Sequence, residues 1–364
     1  MSEITGEAQV MDFISTSEGP RGCLATEFGA TLDLLNFVFR TSRGAVPSMG
    51  GNYPHMYCHA NMENMRIIKV DRRVVSHVGI FPAEIAVGET VLKIGGIGGV
   101  GTHPDHRRQG YAGRLLMDSV AKMDAEGYDL SILWAGLSDY YRKFGWEYGG
   151  SERHYFLDRG NIELFPSLEG CTVELGPKDQ DRCRQMDQLY NRKPLRVIRD
   201  EDLSRTLLGI PKHTPYLALQ GGQALAYIVL KGDRVVEYGG DPERIMGLVR
   251  YILKEQPEVR SISIATPPVS DDLTQLLDER GIPKQTRYLG MLRVICLESL
   301  LRKLGLHEMA VHEHEDRIHL SWKGTHASFT RRALVKLLFG PERISTFAQD
   351  RLPIPIYWWG TAHM

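Results

Sequence analysis

The stretch Gly99-Val100-Gly101-Thr102-His103-Pro104-Asp105-His106-Arg107-Arg108-Gln109-Gly110-Tyr111-Ala112 joins an apolar, glycine-rich run to an amphipathic segment through a basic turn. Arg107, Gly110 and Ala112 form an Arg-x-x-Gly-x-Ala spacing. Small residues there let an anion approach the backbone, and a helix start presents amide donors without intrahelical partners, so the turn is suited to a pyrophosphate. The helix expected over Arg114 to Glu126 places Leu115, Leu116, Ser119, Val120 and Met123 on one face. Glycines at 95, 96, 98 and 99 precede the turn by several residues, whereas a dinucleotide fingerprint needs them in the turn itself, so NAD binding is excluded.

Downstream, the buried-strand run Leu130 to Ala135 leads to Tyr140-Tyr141-Arg142-Lys143-Phe144-Gly145-Trp146. Together the two motifs resemble those of the GNAT superfamily of acetyl-CoA-dependent N-acetyltransferases, Arg/Gln-x-x-Gly-x-Gly/Ala followed by Tyr-x-x-x-Gly-aromatic, with Ala112 in the last position of the first. The length of 364 residues, the Tyr-Arg-Lys-Phe-Gly-Trp string and a small C-terminal segment are similar to the Eis (enhanced intracellular survival) acetyltransferases. That resemblance implies an α/β (α+β) fold of tandem GNAT units with mixed, mostly antiparallel sheets and a small α+β sterol-carrier-like domain.

Along the chain, the first region predicts a helix near Thr31 to Thr41 and strands near Met65 to Val70, Arg73 to Val87 and Thr90 to Gly101. The motif helix, the strand Leu130 to Ala135, a short helix carrying Tyr141 and a strand near Trp146 to Leu157 follow. Asp71-Arg72 and Gly88-Glu89 are hairpin turns between β-branched runs. A second α/β pattern repeats this order, with helices near Lys178 to Tyr190, Asp200 to Leu208 and Glu243 to Glu255 and strands near Tyr216, Ala224, Val235 and Ser261. Where its phosphate turn should fall stand Asp241 and Glu243, whose carboxylates repel phosphate. The expected division is a catalytic GNAT domain at 1–158, a degenerate GNAT-like domain at 159–297 and a sterol-carrier-like domain at 298–364. The apolar tail Leu352 to Trp359 is too hydrophobic to be left in water and is expected to pack, in a cleft between domains.

Composition fits a cytoplasmic protein. It is 42% hydrophobic and 24% charged with a net charge of −1, which supplies no basic field for nucleic acid or anionic lipid. Five dispersed cysteines without a Cys-x-x-Cys pair suit a reducing compartment, and no apolar run is long enough to span a membrane. His55-x-x-Cys58-His59 and His312-Glu313-His314 lack a second pair of ligands at usual spacing, so no metal is expected.

Acyl transfer to an amine needs a coenzyme clamp, a polariser for the carbonyl, a base for the ammonium and an acid for the thiolate. Amides over Arg108, Gln109, Gly110, Tyr111, Ala112 and Gly113, with the guanidinium of Arg107 or Arg108, are the candidate clamp. The resemblance places acetyl-CoA's pantetheine and carbonyl against Val100, Gly101 and Thr102, makes Tyr141 the acid and makes the terminal carboxylate of Met364 the base. Asp139, His59 or a water chain are the alternatives for the base. The segment Asn52 to Tyr57 is a candidate wall for the acceptor. The function so implied is transfer of acetyl to a primary amine of a small molecule, aminoglycoside- or polyamine-like, by direct attack in a ternary complex. An acidic pocket would mark such a polycation, and a shallow groove a peptide. The alternatives are a protein lysine or N-terminal acetyltransferase, a covalent route through Cys58, and a non-catalytic acyl-CoA sensor. A homo-oligomer is the family expectation.

Overall fold

The computed structural model describes residues 16–176 and 179–363. Its first part runs β1 (Ser17–Gly22), α1 (Phe28–Phe39), α2 (Met49–Asn52), β2 (Met65–Val70), β3 (Arg73–Val87), β4 (Thr90–Thr102), α3 (Tyr111–Ala125), β5 (Leu130–Leu133), α4 (Ser138–Arg142) and β6 (Glu147–Asp158). The second runs β7 (Thr172–Leu175), α5 (Gln180–Tyr190), β8 (Leu195–Ile198), α6 (Glu201–Leu208), β9 (Thr214–Gln220), β10 (Gln223–Lys231), β11 (Arg234–Gly240), α7 (Pro242–Glu255), β12 (Ser261–Thr266), α8 (Asp272–Glu279) and β13 (Lys284–Val294). The last holds α9 (Leu297–Lys303), β14 (Ala310–His314), β15 (Arg317–Trp322), β16 (Thr325–Thr330) and α10 (Arg331–Phe339). Of the residues expected to begin α5, Lys178 lies outside the described residues.

Both expected hairpins form. Asp71 and Arg72 take φ of 47° and 68°, the left-handed pair of a two-residue turn, and Gly88 at φ 62° turns β3 into β4. Among the described residues thirteen strands join into a single mixed sheet, in which only β4 with β5 and β11 with β12 run parallel. The strand order is unusual at its centre: β13, late in sequence, lies between β5 and β6, while β6 pairs on its other side with β12. Each half of the chain thus lends its last strand to the other. Met291 of β13 packs with Ile97 of β4, Leu115 of α3 and Trp146, inside the core beneath the motif helix.

Helix α3 presents Leu115, Leu116, Ser119 and Met123 to the sheet, all fully buried, as its periodicity requires. Gly95 permits this seat, because a Cβ there would run into the Met123 sulfur. The tail is packed as its composition demands. Trp358 faces Phe81 and Trp134 of the first half, and Trp359 faces Tyr190 and Tyr238 of the second. The Trp359 indole donates to the Leu195 carbonyl at 2.9 Å.

Candidate active site

Two parallel strands that stop pairing open the site. The β4–β5 ladder runs from Ile94 opposite Leu130 to Ile97 opposite Leu133; β4 then continues to Thr102 while the other chain turns into α4. On its other edge β4 is bulged, since Gly98 pairs with Gly79 and Gly101 with His77, leaving Gly99 and Val100 against Val78 alone. Gly99 has φ +60°, and a Cβ on it would collide with the Tyr57 hydroxyl, so only glycine fits. His77 fixes the bulge from below. Burial lowers its imidazole to about 4, and the neutral ring's Nδ1–H donates to the Gly99 carbonyl at 2.8 Å.

The basic turn follows. Arg108 and Gly110 take φ of 63° and 77°, and α3 begins at Tyr111, three residues before the sequence expectation, because the left-handed Gly110 releases the chain into the helix at once. The first helical bond is Arg114 N–H to Gly110 at 3.0 Å, so the amides of Tyr111, Ala112 and Gly113 lead into the helix ahead of any intrahelical partner. Around them lies a cleft of about 620 Å3 lined by Val100, Gly101, Thr102, Arg107, Arg108, Gly110, Tyr111, Ala112 and Tyr141. Of the expected clamp, Gln109 and Gly113 are not in that lining. Gln109 is exposed, and Gly113 instead lets the Phe144 ring approach, at 2.9 Å from where a Cβ would stand.

Gly110 itself faces open space. Replacing it with Trp is expected to impose left-handed strain on an L residue and to fill the anion's approach. Acetyl-CoA affinity, read by calorimetry, should fall at least 10²-fold with the melting temperature nearly kept; unchanged affinity would remove the turn from the clamp.

Tyr141 projects from α4 at the mouth of the diverging strands. Burial, with Tyr140 beside it, pushes its phenol up to about 12, so it stays protonated across the neutral range. The helix is held at its end: Arg142 pairs with Glu147 at 2.9 Å, and Arg332 of α10 reaches the same carboxylate at 2.6 Å. Gly145, φ 86°, makes the return into β6.

A second cavity of about 430 Å3 adjoins the cleft and shares Arg43, Val100, Leu137 and Tyr141 with it. Its inner wall holds Phe39, Arg40, Met49, Tyr53, Tyr57 and Trp134. Tyr53 and Tyr57 belong to the segment singled out in sequence; His55 of the same segment is buried against Phe81. Phe39, Arg40, Arg43, Met49 and Trp134 were not legible as site residues, although the Arg40/Arg43 spacing at the end of α1 was a signal available in the sequence. Among the proposed bases, Asp139 is exposed and paired with Arg142, His59 stacks on Phe28 at 4.3 Å, and neither lines a cavity. Met364 lies outside the described residues, and the ring of His363 before it packs tilted against Trp134, centroids 3.8 Å apart. Cys58 lines neither cavity. Among the described residues no cluster of His, Cys, Asp and Glu is grouped to hold a metal, and no helix is long and apolar enough to cross a membrane.

Residues 21–149 match the family of acetyltransferase (GNAT) domains. A search of curated proteins gives no match. Solved structures share the fold over nearly the whole chain. A GCN5-related N-acetyltransferase from Anabaena variabilis is 16% identical with a TM-score of 0.67, covering 94% of this chain and 98% of its own. A probable N-acyltransferase from Enterococcus faecalis is 14% identical with a TM-score of 0.66, covering 93% of each chain. Eis1 from Mycobacterium abscessus is 14% identical with a TM-score of 0.63, covering 94% of this chain and 98% of its own. The cleft between β4 and β5 therefore lies within the stretch that matches an acetyltransferase (GNAT) domain, and the chain as a whole shares the fold of these structures.

Proposed function

We propose that the protein transfers the acetyl group of acetyl-CoA to a primary amine of a small molecule, by direct attack within a ternary complex. The observation that carries this reading is the junction of the two cavities at Val100 and Tyr141. A thioester lying in the outer cleft and an amine entering from the inner one meet there, and no cysteine stands between them. The amine nitrogen bonds to the acetyl carbon and the C–S bond breaks. A base takes the ammonium proton, and Tyr141 supplies one to the departing sulfur. The β4 bulge at Gly99 and Val100 offers backbone to polarise the carbonyl, and the amides of Tyr111 and Ala112 with Arg107 and Arg108 hold the pyrophosphate.

For the base we retain the Met364 carboxylate, supported by the packed tail and the contact of the His363 ring with Trp134. One residue added after Met364 should lower kcat by roughly 10-fold or more with coenzyme affinity kept; unimpaired turnover would move the role elsewhere. Direct attack is tested by intact mass. Enzyme mixed with acetyl-CoA alone should stay unacetylated and a primary amine should then yield N-acetyl product, whereas a competent acetyl-enzyme would overturn the route.

The domain division at 158 and 297 is part of the proposal. It is supported by the second half's order β9, β10, β11, α7, β12, which repeats β2, β3, β4, α3, β5. In α7 the Asp241 carboxylate accepts from the Arg244 amide at 2.9 Å, filling the anion position with the chain's own charge. The β14–β16 sheet with α10 is the sterol-carrier-like segment of this reading. A homo-oligomer in the cytoplasm completes it.

A further inference from the structure

Among the described residues, the charged side chains that line the inner cavity are of one sign. Arg40 and Arg43 line it, and no Asp or Glu does. Neither guanidinium has a carboxylate partner among the described residues, whereas the buried Arg66 and Arg199 are paired. Arg40 is tethered but not spent: Nε donates to Ser48 at 2.9 Å and Nη1 to the Phe39 carbonyl at 3.0 Å, leaving Nη2 without a partner among the described residues. That free donor belongs to a half-buried side chain that lines the cavity, where an anion can take it up. The remaining wall is aromatic, with Tyr53 edge-on to Tyr57 at 6.1 Å.

On the acyl-transfer reading above, we infer that the acceptor is an amine with an aromatic or apolar body and a carboxylate, held by Arg40, rather than a polycation. Arg–carboxylate recognition is charge-assisted and directional, whereas a second or third ammonium deep in this pocket would face two guanidinium groups, with the Met364 carboxylate already taken up at the reacting amine. The ring walls take the body of the acceptor, and its amine points to the junction at Val100 and Tyr141. Arg43 stands where the two cavities meet, so Arg40 is the residue whose contact belongs to the acceptor alone. The reaction balances as before: C–N forms, C–S breaks, one proton leaves the ammonium and one reaches the thiolate, giving the N-acetyl amino acid and free coenzyme thiol.

The test measures thiol release from acetyl-CoA with tyrosine, tyramine, spermidine and kanamycin as acceptors. Tyrosine and tyramine share a ring and an amine and differ by the carboxylate. The kcat/KM for tyrosine is expected to exceed that for tyramine about 10-fold or more, and that for spermidine and kanamycin by a larger factor. In Arg40→Gln the tyrosine-to-tyramine ratio should fall toward one, through KM for tyrosine, with KM for acetyl-CoA unchanged. A preference for spermidine or kanamycin, or equal use of tyrosine and tyramine by the unmodified enzyme, overturns the inference and leaves acyl transfer standing. Absence of transfer to all four with coenzyme bound overturns the acyl-transfer reading itself. The comparison in the unmodified enzyme decides the matter even where Arg40→Gln fails to fold.

Discussion

Tyr141→Phe is expected to lower kcat by roughly 10²-fold while acetyl-CoA binds with unchanged affinity. The magnitude follows from how the phenol is held. Its pKa, raised to about 12 by burial, keeps it fully protonated at neutral pH. A thiol has a pKa of about 8.5, so complete transfer to a free thiolate would be uphill by roughly 5 kcal/mol. Donation therefore accompanies C–S cleavage, while the sulfur is still strongly basic, and the phenol contributes at the low end of the range for general acids. Ring area and packing against Tyr140 survive the substitution, so the cleft keeps its shape. Calorimetry with acetyl-CoA and thiol release with an amine give the two numbers. A variant retaining more than about half of its turnover would show that water, not Tyr141, protonates the sulfur. A sensor protein, by contrast, would have no turnover to lose.

What the sequence made legible were features written in local chemistry. The Asp71-Arg72 and Gly88 turns, the one-sided apolar face of α3 and the glycine at the head of that helix all read directly, because each depends on residues a few positions apart. The exchange of β6 and β13 was hidden. Lys284 to Arg287 are polar and lie exposed at the start of β13, which obscures a strand whose partners, Leu130 to Leu133 of β5 and Glu147 to Tyr155 of β6, are more than a hundred residues away. Strand β8 is hidden for the same reason, since Leu195 to Ile198 pair with the far end of β3. Trp134 illustrates the limit at the site. It continues an apolar run that reads as buried strand, but pairing ends at Leu133, and the indole turns to donate to the Leu289 carbonyl at 2.7 Å while lining the inner cavity. Only the divergence of β4 and β5, a property of the whole sheet, makes that residue part of a pocket.

Glu237→Ala should destabilise the fold by about 3 kcal/mol, the low end for breaking a buried ion pair, since Arg199 keeps Asp187 as its remaining partner. Glu237 on β11 is fully buried, and Arg199, equally buried, grips it at 2.8 Å and also reaches Asp187 at 3.1 Å. The Tyr227 hydroxyl donates to the same carboxylate at 2.9 Å, and the Thr361 hydroxyl of the tail donates to it as well. Burial pushes the Glu237 carboxyl upward, but Arg199 and these donors outweigh it and hold the group below its ordinary value. Its stabilisation is thus present above the unfolded-state value near 4.3 and is lost as pH falls through the lower folded value. Asp187 is pushed the opposite way, chiefly by burial and in part by Glu237 itself, so its contribution opposes that of Glu237 and is reduced in the variant. Denaturant melts from pH 7 down to pH 3 should show the two stabilities converging on acidification. Replacing Arg199→Met, Glu237→Leu and Asp187→Asn together should restore most of the loss, since no buried charge is then left unpaired. A single Glu237→Ala loss below about 1 kcal/mol, or one that does not shrink toward low pH, would place the stabilisation elsewhere. The consequence reaches the active site through the tail. Thr361 is released, Trp359 loses a neighbour that anchors its segment, and Trp358 packs on Trp134 at 5.8 Å in the acceptor wall. In folded Glu237→Ala the KM for the amine should therefore rise while acetyl-CoA affinity, set by the turn before α3, stays as it was.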